Sequence, residues 1–292
     1  MKRIQRRSLS VFWTVLLFFY VPILVLVVNS FNKDRFSGAW KGFTLDWYAL
    51  LFDSEKSGEI WHALGNTLEV AAGATLASVV LGTLAALALS RYKGRIQAAH
   101  YGLLYTHLVL PDVLMGISLR LFFISVGMGL SLFTVFLAHT TFCVSYVAMA
   151  VLARLEDFDN ATLEAASDLG ANAWQTFWKV QFPMLLPGIV AGGLLAFTLS
   201  IDDFVITFFV AGQGSDTLPV KIYGMIRRSR NLPVINALST LMMCVTVLAV
   251  VATRMMQGRG ARAVAPSSSK APVIGERREG LGGRVRRDRA AD

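Results

Sequence analysis

Only two cysteines occur in the 292 residues, Cys143 and Cys244, and both sit inside apolar runs without CxxC or metal-ligand spacing. They read as buried free thiols, which leaves no cysteine-based metal site and says little of redox compartment. Charged residues are scarce, at 16% against 54% hydrophobic, and the mean hydropathy is +0.54. That balance excludes an ordinary soluble domain. No Gly-x4-Gly-Lys-Ser/Thr loop is present, so the chain cannot cradle nucleotide phosphates by that route. No Gly-x-Gly-Asp stretch occurs either, since Gly212-Gln213-Gly214 is followed by Ser215, and this weighs against an intramembrane aspartyl protease. Internal repeats are absent.

What the chain does have is long apolar runs. A membrane helix needs about 20 mostly apolar residues. Runs of that kind predict six spans near 11–30, 67–89, 101–126, 132–152, 185–210 and 235–252. The basic start (1–10) lacks a small-x-small cleavage site after its apolar core, so it reads as a retained first helix, not a signal peptide. Phe31–Asn66 reads as a polar external loop. Its Trp47 is either part of an interfacial belt or a ring face for a cation. In the second span Ala74, Ser78, Gly82 and Ala86 recur every four residues, a stripe for close helix packing. His139 in the fourth span reads as a hydrogen-bonding group between helices.

The net charge of +9 suggests nucleic acid until its placement is considered. With both termini cytoplasmic, inner segments carry 19 of the 28 Lys/Arg and outer ones 8, with Arg120 left inside the third span. Arg120 either snorkels to the surface or pairs with an acid of the outer half. The membrane-spanning region is 11–255. The tail 256–292 is rich in Arg, Gly, Ser and Pro, and reads as disordered and lipid-hugging.

Three carboxylates lie in apolar spans: Asp112 after Pro111, and the neighbours Asp202 and Asp203. A charge at membrane depth costs about 2.5–3.5 kcal/mol or more, so these should face protein or a watery path. Unpaired acids on such a path suit a cationic cargo. Helix–helix bonding or a gate latch is the competing reading of the Asp202–Asp203 pair. On one helix these two side chains project about 100° apart.

The loop 153–183 holds the second informative stretch. Gly170 is a natural left-handed helix terminator, and Asn172 with Gln175 forms a capping-box pattern. A short helix, a glycine bend and a second short helix closed by Pro183 would make a compact cytoplasmic knob. Trp174, Phe177 and Trp178 are too apolar to leave wet, so a partner or the bilayer surface should cover it.

Glu164-Ala165-Ala166-x3-Gly170-x9-Val180-x-Phe182-Pro183 resembles the EAA loop of ABC-importer permeases. Tyr20-Val-Pro-Ile, Val28-Asn-Ser-Phe-Asn32, Trp47-Tyr48, Pro111-Asp112, His139-Thr-Thr-Phe-Cys143, Ala196–Asp203 and Asn236-Ala-Leu look like the polyamine-importer permeases within that family. The resemblance covers about Val11 to Ala252. It implies an all-α type I importer permease fold in the bacterial inner membrane. It also implies a paralogous permease partner, two ATP-binding subunits that hold ATP and Mg, and an external polyamine-binding protein. No cofactor is then expected in this chain. Glu164, Ala165, Ala166, Asp168 and Gly170 become coupling residues, and Asp112, Asp202, Asp203, Ser200 and Trp47 become substrate-path residues. Val234 stands where such permeases usually carry an acid, and Arg120 where they carry an apolar residue. Permeases for ferric ion, thiamine or an opine share the EAA loop, while a cation channel would not need it.

Overall fold

The computed structural model describes residues 2–35, 38–91, 94–156, 161–228, 232–244 and 247–248. These are almost wholly helical, with a single isolated bridge between Asn32 and Phe43. The helices are α1 Lys2–Asn29, α2 Asp46–Leu51, α3 Ser54–Arg91, α4 Arg95–Val109, α5 Asp112–Ser125, α6 Leu132–Glu156 and α7 Ala161–Asp168. After them come α8 Ala173–Thr176, a π-turn at Phe177–Gln181, α9 Phe182–Asp202, α10 Val205–Val210, α11 Leu218–Arg228 and the shorter apolar α12 Leu232–Cys244.

Among the described residues, four unbroken helical stretches are long and apolar enough to cross a membrane: 11–29, 57–91, 132–156 and 173–202. A fifth is formed only if α4 and α5 count as one span, and these meet at 110°. The sixth expected span corresponds to α12, whose 13 residues reach about 20 Å. Residues 245–246 and 249–252 of that expected span, and the tail 256–292, lie outside the described residues.

The core is a three-helix layer of α3, α6 and α9 held together by small residues. Ala74, Ser78, Gly82 and Ala86 are all buried, as the four-residue stripe requires. A Cβ on Gly82 would stand 2.8 Å from Val147 Cβ and 2.9 Å from the Val144 carbonyl, so the α3 backbone touches α6 directly. Gly192 meets α6 in the same manner, 3.1 Å from the Val147 Cα. Lipid offers helices no hydrophobic drive to associate, and this close van der Waals approach replaces it.

Several expectations change in the folded chain. The segment 31–66 is not a loop throughout, because α3 begins at Ser54 and runs 38 residues, about 57 Å. Its first turns project past the bilayer core, which is about 30 Å thick. The 101–126 span is not one helix. Leu110 and Pro111 are extended (ψ 133° and 132°), since Pro111 has no N–H to continue the ladder and disfavours helix at the residue before it. The 185–210 span breaks at Asp203, whose ψ is 124°. Pro183 does not close the knob. The preceding turn widens to i→i+5 pairing, Phe182 N–H bonding to the Phe177 carbonyl, and the helix continues through the proline from Ala173 to Asp202.

At the opposite end from Gly170, Trp47, Leu51, Ile60, Leu218 and Leu238 form a second apolar cluster. Beside it, Asn32 accepts from the N–H groups of Asp34 and Lys41 (3.1 and 3.0 Å) and donates to the Ala39 carbonyl (2.7 Å). Asp34, only 6% exposed, takes a 2.9 Å bond from Lys41 Nζ. That ammonium, aided by the backbone N–H groups of Ala39 and Gly38, outweighs burial and holds the Asp34 carboxyl below the ordinary range.

Candidate functional site

Sequence makes the break in the fifth span possible. Ser200-Ile201-Asp202-Asp203 places short polar side chains where an acid can serve the free N–H groups of a restarting helix. Asp203 does so for α10. Its carboxylate accepts from Thr207 N–H and Thr207 O–H, each at 2.8 Å, and from Ile206 N–H at 3.3 Å. The other end of α10 is also tied. Arg120 Nη1 donates to the Phe209 carbonyl at 2.8 Å, and the Thr134 hydroxyl donates to the Val210 carbonyl at 2.8 Å. Among the described residues Arg120 therefore pairs with a helix C-terminus and not with an acid, satisfying a carbonyl that has no intrahelical donor.

His139 on α6 is wholly buried beside the break. Its Nδ1 lies 2.7 Å from Ser200 Oγ on α9, and its Nε2 lies 2.8 Å from Thr207 Oγ1 on α10. Asp203 Oδ2 is 3.3 Å from the same Nε2. Because Thr207 donates its hydroxyl proton to Asp203, its oxygen accepts from Nε2–H.

The break opens a cavity of about 280 Å³, near the lower end of ligand-site volumes. Asp112, Asp202 and Asp203 all line it, with His107, Phe142 and Tyr146. The structure thus brings together three of the five expected path residues, although the sequence separates Asp112 from the pair by 90 positions. Their situations differ. Asp112 is the first residue of α5 and exposed; Asp202 is exposed at the end of α9. Neither has a hydrogen bond or ion pair among the described residues. Asp203 is spent on α10.

The other two expected path residues stand elsewhere. Ser200, 2% exposed, is behind the cavity wall and reaches the site only through His139. Trp47 is a correction. It is 8% exposed, packs in the second apolar cluster, and donates Nε1–H to the Asn32 carbonyl at 2.8 Å. Its ring is used in local packing and offers no free face. Thr207, His107 and Tyr146 escaped the sequence reading. Thr207, four residues after Asp203, was the one with a signal, since that spacing suits a carboxylate meeting a hydroxyl on a restarting helix.

In the knob, α7 ends where expected. Gly170 has φ +85°, and Ala171 N–H returns to the Ala166 carbonyl at 3.1 Å. The Asn172–Gln175 capping box forms, with bonds of 2.9 and 3.1 Å. Glu164, Ala165 and Asp168 are exposed, as are Leu169 (89%) and Trp174 (70%), which leaves an apolar tip open beside the acids.

The family described as binding-protein-dependent transport system inner membrane component matches residues 78–264. The spermidine/putrescine transport system permease protein PotC of Haemophilus influenzae is 39% identical over 256 residues, covering 88% of this chain and 98% of that protein. The putrescine transport system permease protein PotI of Escherichia coli is 40% identical over 234 residues, covering 77% of this chain and 82% of that one. Among solved structures, a chain of a bacterial ABC transporter involved in import of the acidic polysaccharide alginate superposes with a TM-score of 0.63 at 17% identity. That likeness covers 86% of this chain and 96% of the other. At such identity it speaks to the fold alone.

Proposed function

The chain belongs to the binding-protein-dependent transport system inner membrane component family, and from that premise we propose that it carries polyamines, putrescine or spermidine, as the permease subunit of an ATP-driven importer. It is a multi-pass inner-membrane transport component with an ABC-importer permease fold. The observation that supports the cargo is the convergence of Asp112, Asp202 and Asp203 on one cavity, with two of the three carboxylates unpaired among the described residues. Two free acids match the two or more ammonium groups of a polyamine. An exposed carboxylate keeps much of its hydration and holds a cation only loosely, which suits a station on a path.

ATP and Mg belong to two partner ATPases, which seat on the Glu164–Gly170 knob from the cytoplasm. The exposed Leu169 and Trp174 supply apolar contact there, and Glu164 and Asp168 supply charge. Closure of the ATPases moves the knob, and the α9 rod moves with it. A second, paralogous permease completes the path, and an external binding protein delivers the cargo to the Trp47 end. Both termini then lie in the cytoplasm.

Uptake of labelled putrescine and spermidine into vesicles holding the full complex and the binding protein tests this reading. Asp202→Asn should abolish most uptake while the complex still assembles. If neither polyamine moves, nor competes with a cargo that does, the substrate assignment fails. A permease for another cation remains the second reading, favoured by Arg120 and Val234, both of which make the Trp47-side half of the chain less negative.

A further inference from the structure

A hydrogen-bonded strap crosses the broken fifth span, and none of its central members touches the cavity's open space. Ser200 lies in the last turn of α9, Thr207 lies in α10, and His139 reaches both from α6 at 2.7 and 2.8 Å. All three are buried to 2% exposure or less. We infer that His139 is a positioning residue: by bridging Ser200 and Thr207 it fixes the angle between α9 and α10, and so holds Asp202 at the cavity while Asp203 stays bound to α10. This rests on the transport reading above only for its cargo assay.

The geometry favours this over inert packing for three reasons. First, the backbone leaves helix at Asp203, so no i→i+4 ladder ties the residues on either side of the break. Side chains must supply the restraint. Second, imidazole presents two polar atoms on a rigid ring, and both are engaged. Third, the ring packs at a tilt against Phe142, centroids 5.4 Å apart, and Phe142 lines the cavity, so a shift of the strap is felt at the wall. Ser200 thereby gains a role without touching cargo, which accounts for an expected path residue placed behind the wall.

The test uses the assembled transporter in proteoliposomes, reading ATP hydrolysis and cargo delivered in parallel. His139→Ala should lower cargo delivered per ATP by about tenfold, the scale set by losing a buried hydrogen-bonding group, while binding-protein-stimulated hydrolysis stays within about twofold. His139→Gln, whose amide offers a donor and an acceptor on one group, should restore most of the coupling. Ser200→Ala should reduce coupling alone and add nothing further in the His139→Ala background. Unchanged cargo per ATP in His139→Ala, or independent multiplication of the two defects, overturns the strap. If His139→Ala does not assemble, Ser200→Ala and His139→Gln decide the matter by the same ratio.

A second measurement does not depend on cargo. Cys143, one turn beyond His139, is fully buried with Sγ 3.5 Å from the Ala196 carbonyl. In a Cys244→Ser background, maleimide labelling of Cys143 should rise about tenfold in His139→Ala and stay low in Asp202→Asn. No rise would overturn the strap whatever the transporter carries. A wild-type complex that moves no polyamine would overturn only the substrate assignment.

Discussion

Asp202 and Asp203 are chemically identical neighbours, yet the structure separates their duties, and replacing each with alanine should separate two measurements. Asp203→Ala removes the acceptor of two 2.8 Å bonds from Thr207 and a 3.3 Å bond from Ile206. Loss of a helix-capping acceptor costs about 1 kcal/mol. Leaving the Thr207 hydroxyl and the His139 Nε2 side without their charged partner adds about 1.5–3 kcal/mol. The sum is roughly 3 kcal/mol, and Asp203→Asn, which keeps one acceptor oxygen, should cost about 1 kcal/mol. Asp202 is exposed and has no such partner among the described residues, so Asp202→Ala should stay within about 0.5 kcal/mol. Thermal unfolding of the assembled complex in nanodiscs, paired with polyamine uptake, reads both effects. Asp202→Ala should lose uptake at an unchanged melting temperature, whereas Asp203→Ala should lower the melting temperature by several degrees. An Asp202→Ala protein destabilised as much as Asp203→Ala, or an Asp203→Ala protein that melts with wild type, would refute the division.

Three further outcomes are expected. Gly82→Ala places a methyl 2.8 Å from Val147 Cβ, and overpacking of that kind should cost about 1–3 kcal/mol, read as a lower melting temperature. Gly170→Val puts a β-branched residue at φ +85° with nothing within 4 Å of its Cβ, so the penalty is in the backbone alone, about 1–2 kcal/mol. Copurification of the ATPase should fall while the core helices keep their protection from hydrogen exchange. The Asp34 turn should be acid-labile. Its carboxyl is lowered in the folded state, so its contribution is complete above the ordinary aspartate pKa and is lost as pH falls through the depressed value. Exchange protection of the Gly38 and Ala39 amides should fall over that acid window, after correction for intrinsic rates, and Asp34→Asn should abolish the dependence.

Local chemistry was legible in the sequence and relations across distance were not. The Ala74–Ala86 stripe, the left-handed Gly170 and the Asn172–Gln175 box each depend on residues within a few positions, and each appears in the fold. Pro111 lacks the N–H to continue a helix, but whether the result is a slight kink or the observed 110° turn depends on what packs on either side. Pro183 looked like a terminator because a normal α-turn would clash with its ring, and the π-turn that relieves the clash has no clear sequence mark. His139 was visible as a helix-bridging group, while its partners, 61 and 68 residues away, were not. Trp47 misled because an aromatic at a membrane edge serves a cation and a packed cluster equally well until its neighbours are known.

The uninterrupted helix from Ala173 to Asp202 has a mechanical corollary. Thirty residues of helix make a beam about 45 Å long. Pivoted at one end, it converts a ten-degree tilt into a displacement of about 8 Å at the other. A tilt begun at the Trp174 end would therefore arrive at Asp202 as a stroke longer than a turn of helix, and the His139 bridge across the break would carry α10 along with it.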